Sequence, residues 1–406
     1  MRASRWSTTH RTAIAVTAIW LVIVALWADG LPRSAHADGG APNLAYVVVG
    51  GAKPTALAII DIAKRRLTGQ IELGGDPQAV VLSVDSRFAY IPQASANTVA
   101  VVDTSARRVI AEVPAGEGPA ALAADMSVTG DMFVADASGN SVTVIDLTQR
   151  RTVVTIPVGR RPTSVAVAGL GSGVRDPSDA EVYVTNADSD TVSVISATTR
   201  RIIATIPVPG GPMSVLVPTS NNVAYVGTRT GMIVAIGVAD HRVLGTLVRL
   251  RGSASGQMDY DAVTGEIYVP DGAGGVVEVL RPVSATDGSA ALPPEPARTL
   301  PLGGGPSAVA ITFDGSYGFV AQRDSGHVVM VDVAAHHTLA IVDVGGAPRA
   351  IVTGAYPPLL DQQSSNVAGI AAYVLFGVVL AGIVIFAFGG YKPLQRWWLR
   401  RGGARR

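Results

Sequence analysis

The chain has 406 residues, 48% of them apolar and 16% charged, with a net charge of +1. That composition supplies a large buried core and excludes a nucleic-acid protein held by bulk positive charge. There is no cysteine, which excludes disulfides, thiolate metal sites, a cysteine nucleophile and haem attached through CxxCH.

Residues 1–37 come first. MRASRWSTTHR is basic, TAIAVTAIWLVIVALW is apolar, and Ala35 and Ala37 are small residues before an aspartate. This is the pattern of a secretory signal cut after Ala37; an uncleaved signal anchor is the alternative. Residues 38–355 then carry a repeated sentence: YIPQASANTVAVVD (90–103), FVADASGNSVTVID (133–146), YVTNADSDTVSVIS (183–196), YVPDGAGGVVEVLR (268–281) and FVAQRDSGHVVMVD (319–332). Each has two β-rich runs around a polar or glycine-rich turn. The closing position recurs at Asp61, Asp103, Asp146, Ser196, Gly237, Arg281 and Asp332, in steps of 42, 43, 50, 41, 44 and 51 residues. The two long steps contain insertions at 169–180 and 282–297. A glycine closely followed by proline marks Pro77, Pro119, Pro162, Pro212, Pro306 and Pro348, and one unit has RGSASGQMDYD (251–261) in its place.

A period of 40–45 residues with about four strands per unit is the signature of propeller blades. Seven markers predict an all-β, seven-bladed β-propeller with four-stranded blades, its strands running a to d from the central channel outward. The first run, 44–50, reads as a strand b, and the last, 348–354, as a strand a without followers. One C-terminal strand and three N-terminal strands therefore complete the same blade and close the ring. Beyond it, 356–366 is a linker, and 367–389 is an uncharged run of 23 residues, long enough for a single transmembrane helix. Residues 390–406 carry Lys392, Arg396, Arg400, Arg401, Arg405 and Arg406 with no acid. This basic tail is expected in the cytoplasm and the propeller on the other side of the cell membrane.

With YVTN at 183–186, the turn after it, TVSVIS, ATTRRIIATIPV and GGP, the chain resembles the YVTN family of bacterial and archaeal β-propeller repeats. The resemblance covers about 44–353. It implies the fold; members of the family have diverse roles. The fifth and sixth units depart from the pattern, with Gly237 and Arg281 at the usual aspartate and no glycine–proline marker between them.

The zigzag of strands places the d–a loops and b–c turns on one face, the top, and the a–b and c–d turns on the other. The top is expected to carry the binding candidates Asp136, Arg160, Arg161, Asp188, Asp190, Asp324, His327 and Arg349, together with Asp76 and Glu117. The arginines precede inner strands and suit a carboxylate or phosphate. The carboxylates suit a hard cation, or the ordinary work of locking turns. Below, the c–d turns put Arg65, Arg66, Arg107, Arg108, Arg150, Arg151, Arg200, Arg201 and Arg242 at equivalent points. This basic rim is read as solvated turns or as a membrane-facing surface for anionic lipid. His336 and His337 alternate sides if extended, so they do not chelate as a pair.

No GxSxG, HExxH, P-loop or dinucleotide fingerprint sits in a suitable context. No catalytic residue, metal or cofactor is therefore assigned. The reading is a membrane-tethered extracytoplasmic module that binds a protein, a ligand or a cell-envelope component through its top face. The alternative is a propeller enzyme or redox platform, lactonase-like or built around a quinone or haem. Membrane lipid around the C-terminal helix is the other expected partner, and nucleic acid is not.

Overall fold

The middle strands of each unit are buried at nearly every position, which a sheet with one wet face does not require. In the fourth unit Glu181–Asn186 is buried at all six residues, and Thr191–Ser196 at all but the first. Strands of this kind need cover on both faces. The computed structural model shows how they get it. Its described residues are 43–51, 55–125, 128–169, 174, 179–218, 222–281 and 297–354. The expected signal segment, linker, membrane helix and basic tail, and most of both insertions, lie outside them. Among the described residues no helix is long and apolar enough to cross a membrane.

The described strands form seven four-stranded antiparallel sheets. Blade 1 combines Ala347–Gly354 with strands between Leu44 and Glu72; blades 2 to 5 span 81–114, 119–157, 162–207 and 212–249; blades 6 and 7 span 259–301 and 306–343. In blade 4 the order runs from inner strand a (Pro162–Ala168) through b and c to outer strand d (Arg201–Pro207).

Apolar side chains gather in seven clusters, and each lies between two neighbouring blades. The two-residue period of a strand divides them. From Leu44–Gly50, Ala45, Val47 and Val49 join Phe319 and Met330 of blade 7. The alternate residues Leu44, Tyr46 and Val48 join Ile91 and Val102 of blade 2. An aromatic ring occupies the same place in every strand b: Tyr46, Tyr90, Phe133, Tyr183, Tyr225, Tyr268 and Phe319, all buried. Each ring fully removed from water contributes roughly 1.5–3 kcal/mol. The outer strands alternate instead: in Arg201–Pro207 only Ile206 is buried.

Ring closure follows the expected one-plus-three arrangement. Strand Ala347–Gly354 lies antiparallel to Leu44–Gly50, with Ile351 opposite Val47 and Gly354 opposite Leu44. Ser307 Oγ of blade 7 donates to Pro348 O at 2.9 Å. Arg349 Nη1 donates to Asp76 Oδ1 of blade 2 at 2.7 Å. The closing strand is thereby fixed to blades on both sides.

Blade 6 departs from the others for a structural reason. Its inner strand is only Asp259–Tyr260, as short as Val81–Leu82 of blade 2, and the difference lies in what precedes it. The segment before it, which replaces the glycine–proline marker, crosses the inner edges of other blades. Ala254 O accepts from Ser214 Oγ of blade 5 at 2.8 Å. Gln257 N donates to Ser307 O of blade 7, and Gln257 Nε2 donates to Ile351 O of blade 1 at 2.8 Å.

Deleting 349–353 is expected to abolish cooperative melting of the whole ring. The milder Ile351→Ala should cost about 2–4 kcal/mol, because its side chain is fully buried in the seam. Thermal denaturation checks both; an unchanged melting temperature in the deletion would contradict the closure.

Candidate functional site: the channel mouth and the two faces

Inner strands have one edge with no strand to pair, and in this ring side chains occupy it. The inner strands surround a channel cavity of ≈ 680 Å³ whose lining includes Gln78, Thr163, Ser164, Ser214, Gln257 and Ser307. Several of these groups bond the next blade. Thr163 Oγ1 donates to Pro212 O at 3.3 Å, and Ser164 Oγ accepts from Val215 N at 3.2 Å. Asp259 accepts from Ile311 N of blade 7 at 2.7 Å. Burial pushes its carboxyl up to about 6, against the hydrogen bonds from Ile311 and Tyr260.

At the top, Asp188 is bracketed by two arginines. Arg229 Nη2 donates to Asp188 Oδ1 at 3.1 Å, and Arg161 Nη1 lies 3.8 Å from the same oxygen. Arg160 Nη2 donates to Asp188 O at 2.5 Å. Arg349 is engaged with Asp76, as described above. Asp190 Oδ1 accepts from Gly211 N at 2.8 Å and Gly210 N at 3.2 Å; it closes the loop into blade 5. His327 begins strand c of blade 7 and pairs across it with Gln322 and Asp343.

Asp324 is placed differently. With Arg323, Ser253, Ser255, Gly272 and Ser307 it lines a side pocket of ≈ 290 Å³ between blades 6 and 7. Gly305 stands there at φ 64°, and any Cβ on it would strike the Asp324 carboxylate. Arg323 lines both this pocket and the central channel. It is exposed, and among the described residues no acid pairs with it.

Asp136 is not on the surface. It is the last residue of strand b in blade 3 and is fully buried. It accepts from Thr143 Oγ1 at 2.7 Å, Ser141 Oγ at 3.0 Å and Gly116 N at 3.1 Å. Burial pushes its carboxyl up to about 6, with those bonds opposing. Blade 4 uses Asn186 at the same place, donating to Thr191 Oγ1 at 3.1 Å and Ser193 Oγ at 2.9 Å. Asp271 accepts from Gly252 N and Gly274 N, and Gln322 Nε2 donates to Leu302 O and Gly303 O. The asparagine position of YVTN is thus a buried latch: Asn186 ties strand b to strand c, while Asp136, Asp271 and Gln322 at the same place also hold the preceding loop.

The lower rim divides into two sets. Near the end of each described c–d turn one residue has a positive φ: Arg65, Arg107, Arg150, Arg200, His241 and His336, between 51° and 58°. Side chains other than glycine lose about 1 kcal/mol there. At the b–c turns the same conformation falls to Asn97, Asn140, Asp190 and glycines, residues that tolerate it. The arginines and histidines below have another role, since five of the six contact the preceding blade. Arg107 Nη1 donates to Thr68 O at 3.4 Å. The Arg150 guanidinium lies 5.2 Å over the Phe88 ring. Arg200 Nη2 donates to Asp131 Oδ2 at 2.7 Å, and His241 Nε2 stands 2.9 Å from Glu181 Oε2. The sixth blade's Arg298 bonds the His336 ring. The second basic residue of each pair, Arg66, Arg108, Arg151, Arg201 and Arg242, is exposed.

Sequence reasoning passed over Arg323. The first residue of its turn is alanine or glycine in the other units except Arg229, so the departure is readable in the repeat alignment. The interblade clasps and Gln257 left no such signal.

No protein-family model matches the chain, and no curated protein does. Solved structures are similar in fold. One is a hydrazine synthase structure of Kuenenia stuttgartiensis, with TM-score 0.59, 18% identity, and coverage of 75% of this chain and 99% of that one. Another is a functionally unknown protein from Desulfotomaculum acetoxidans, with TM-score 0.63, 14% identity, and coverage of 77% and 99%. A third is the Cps50 (Swd1) β-propeller domain of Myceliophteria thermophila, with TM-score 0.56, 12% identity, and coverage of 70% and 91%. At such identities the likeness establishes the β-propeller fold.

Two predictions follow from the buried groups. Folded Asp136 binds its proton more tightly than an unfolded aspartate, whose pKa is about 3.9. Its contribution is therefore most favourable below about pH 4 and is lost as pH rises to about 6. Asp136→Asn, copying blade 4, should raise stability at pH 7 by roughly 1–2 kcal/mol and flatten that pH window. Asp259 should leave a remaining slope. Chemical denaturation at pH 4 and pH 7 tests this, and a less stable variant at pH 7 would refute it. Second, Arg200→Gly strands the buried Asp131 and should cost about 1–2 kcal/mol. Arg65→Gly, which lacks such a clasp, should be neutral or slightly stabilising. Equal melting temperatures would sink the clasp assignment.

Proposed function

We propose that the chain is a membrane-tethered, extracytoplasmic binding module that takes a protein or cell-envelope partner at the top mouth of its channel. The observation that carries this reading is Arg323. It is an exposed cation without an acidic partner among the described residues, and it stands where the channel and the side pocket of blades 6 and 7 meet. Hydroxyls of Ser253, Ser255 and Ser307 and backbone at Gly272 surround it. Such a pocket suits a polar segment that ends in a carboxylate or another anionic group, since a guanidinium offers two parallel donors to such a group. Arg161 and Arg229, held against Asp188, supply further positive charge on the same face. The apolar run 367–389 and the basic tail after it support the tether.

The test is capture from the native membrane by mild cross-linking, comparing the full chain with Arg323→Glu and a bottom-face control, Arg66→Glu. Arg323→Glu should lose the stoichiometric partner by tenfold or more, a change of about 1.4 kcal/mol or greater. Arg66→Glu should retain it. A partner lost equally from both, or from neither, would count against the top mouth.

A further inference from the structure

The lower face carries exposed apolar side chains that solvent alone does not explain. Val84 is 83% exposed, Phe313 75% and Val263 70%. Each sits in an a–b turn, on blades 2, 7 and 6. Two of these turns are built alike. Ser83 Oγ donates to Asp85 Oδ1 at 2.6 Å, and Phe88 N donates to Ser83 Oγ at 3.0 Å. Thr312 Oγ1 donates to Asp314 Oδ1 at 2.6 Å, and Tyr317 N donates to Thr312 Oγ1 at 2.9 Å. In both, the aspartate folds back on its own turn and the apolar residue beside it stands at the tip. Asp261 does the same in blade 6, accepting from Val263 N at 2.9 Å and Thr264 Oγ1 at 2.6 Å.

The position of these tips matters. The described chain ends at Gly354, which pairs with Leu44 at the lower end of blade 1. A Cβ there would touch Leu82 and Ser86, beside the Val84 turn. Blade 1 lies between blades 7 and 2, so Phe313 and Val84 flank the exit point. Only residues 355–366 separate it from the uncharged run 367–389, a span of at most ~40 Å. On the outer edge of this same face stand the exposed Arg66 and Arg108 of blades 1 and 2. Apolar tips inside a basic margin are the composition of a surface that lies in the headgroup layer.

We propose that this face rests on the bilayer, with Val84, Val263 and Phe313 entering the interfacial layer and Arg66 and Arg108 meeting lipid phosphates. This rests on the tethered reading above. It adds a fixed orientation, lower face down, which a tether alone does not impose.

The chain has no cysteine, so single labels are unambiguous. Val84→Cys, Phe313→Cys and the top-face control Glu117→Cys, each carrying an environment-sensitive fluorophore, would be made in the full chain. They would be reconstituted in vesicles of phosphatidylcholine with and without phosphatidylglycerol. Lipid-borne nitroxide should quench the labels at 84 and 313 severalfold more than the label at 117. Phosphatidylglycerol should strengthen the difference, and Arg66→Glu with Arg108→Glu should remove that gain. A chain that floats with the vesicles but leaves all three labels equally in water overturns the docking and spares the tether. A chain that does not float overturns both. Quenching indifferent to phosphatidylglycerol overturns the role given to the arginines.

Discussion

Strands b and c of every blade are buried on both faces, and one blade covers only one face of the next. No blade is satisfied until it has a neighbour on each side, and the seven seams replace a single core. The number of seams equals the number of blades only in a closed ring. Closure by the paired ends of the chain is thus the condition for burying all seven aromatic rings, and a break anywhere leaves two wet apolar faces.

Polar groups do the fine positioning between these seams. Hydroxyls and amides bond the inner edges where no strand can pair. Buried side chains at the ends of strands b hold the upper turns. Below, arginine and histidine accept a left-handed backbone because from that conformation they reach the preceding blade. The same residue types therefore mean different things according to place. Arg200 is an internal fastener, its sequence neighbour Arg201 is exposed, and Arg323 is exposed at a mouth lined with hydroxyls.

The fold was legible because it repeats. The aromatic of strand b, the glycine–proline marker and the closing aspartate each fix a register, and together they gave seven blades and the paired ends. The site was only partly legible. Asp136 reads as part of an exposed turn, yet one residue of register places it inside the strand, where burial raises its proton affinity. Arg200 and Asp131 are 69 residues apart, a spacing that is no multiple of anything visible in the chain. Gln257 belongs to the unit that lost the marker, and its partner in blade 1 lies 94 residues away. Contacts between blades are set by the ring, and the repeat describes one blade at a time.

The closing strand has a mechanical consequence. Its lower end, Gly354, is the point from which the chain continues, and its upper end is secured to Asp76 through Arg349. A load applied between a partner above and the segment beyond Gly354 runs along the axis of this strand. Its bonds to Leu44–Gly50 lie across that axis, so they are sheared together and do not open one after another. The element that completes the ring is also oriented to bear tension.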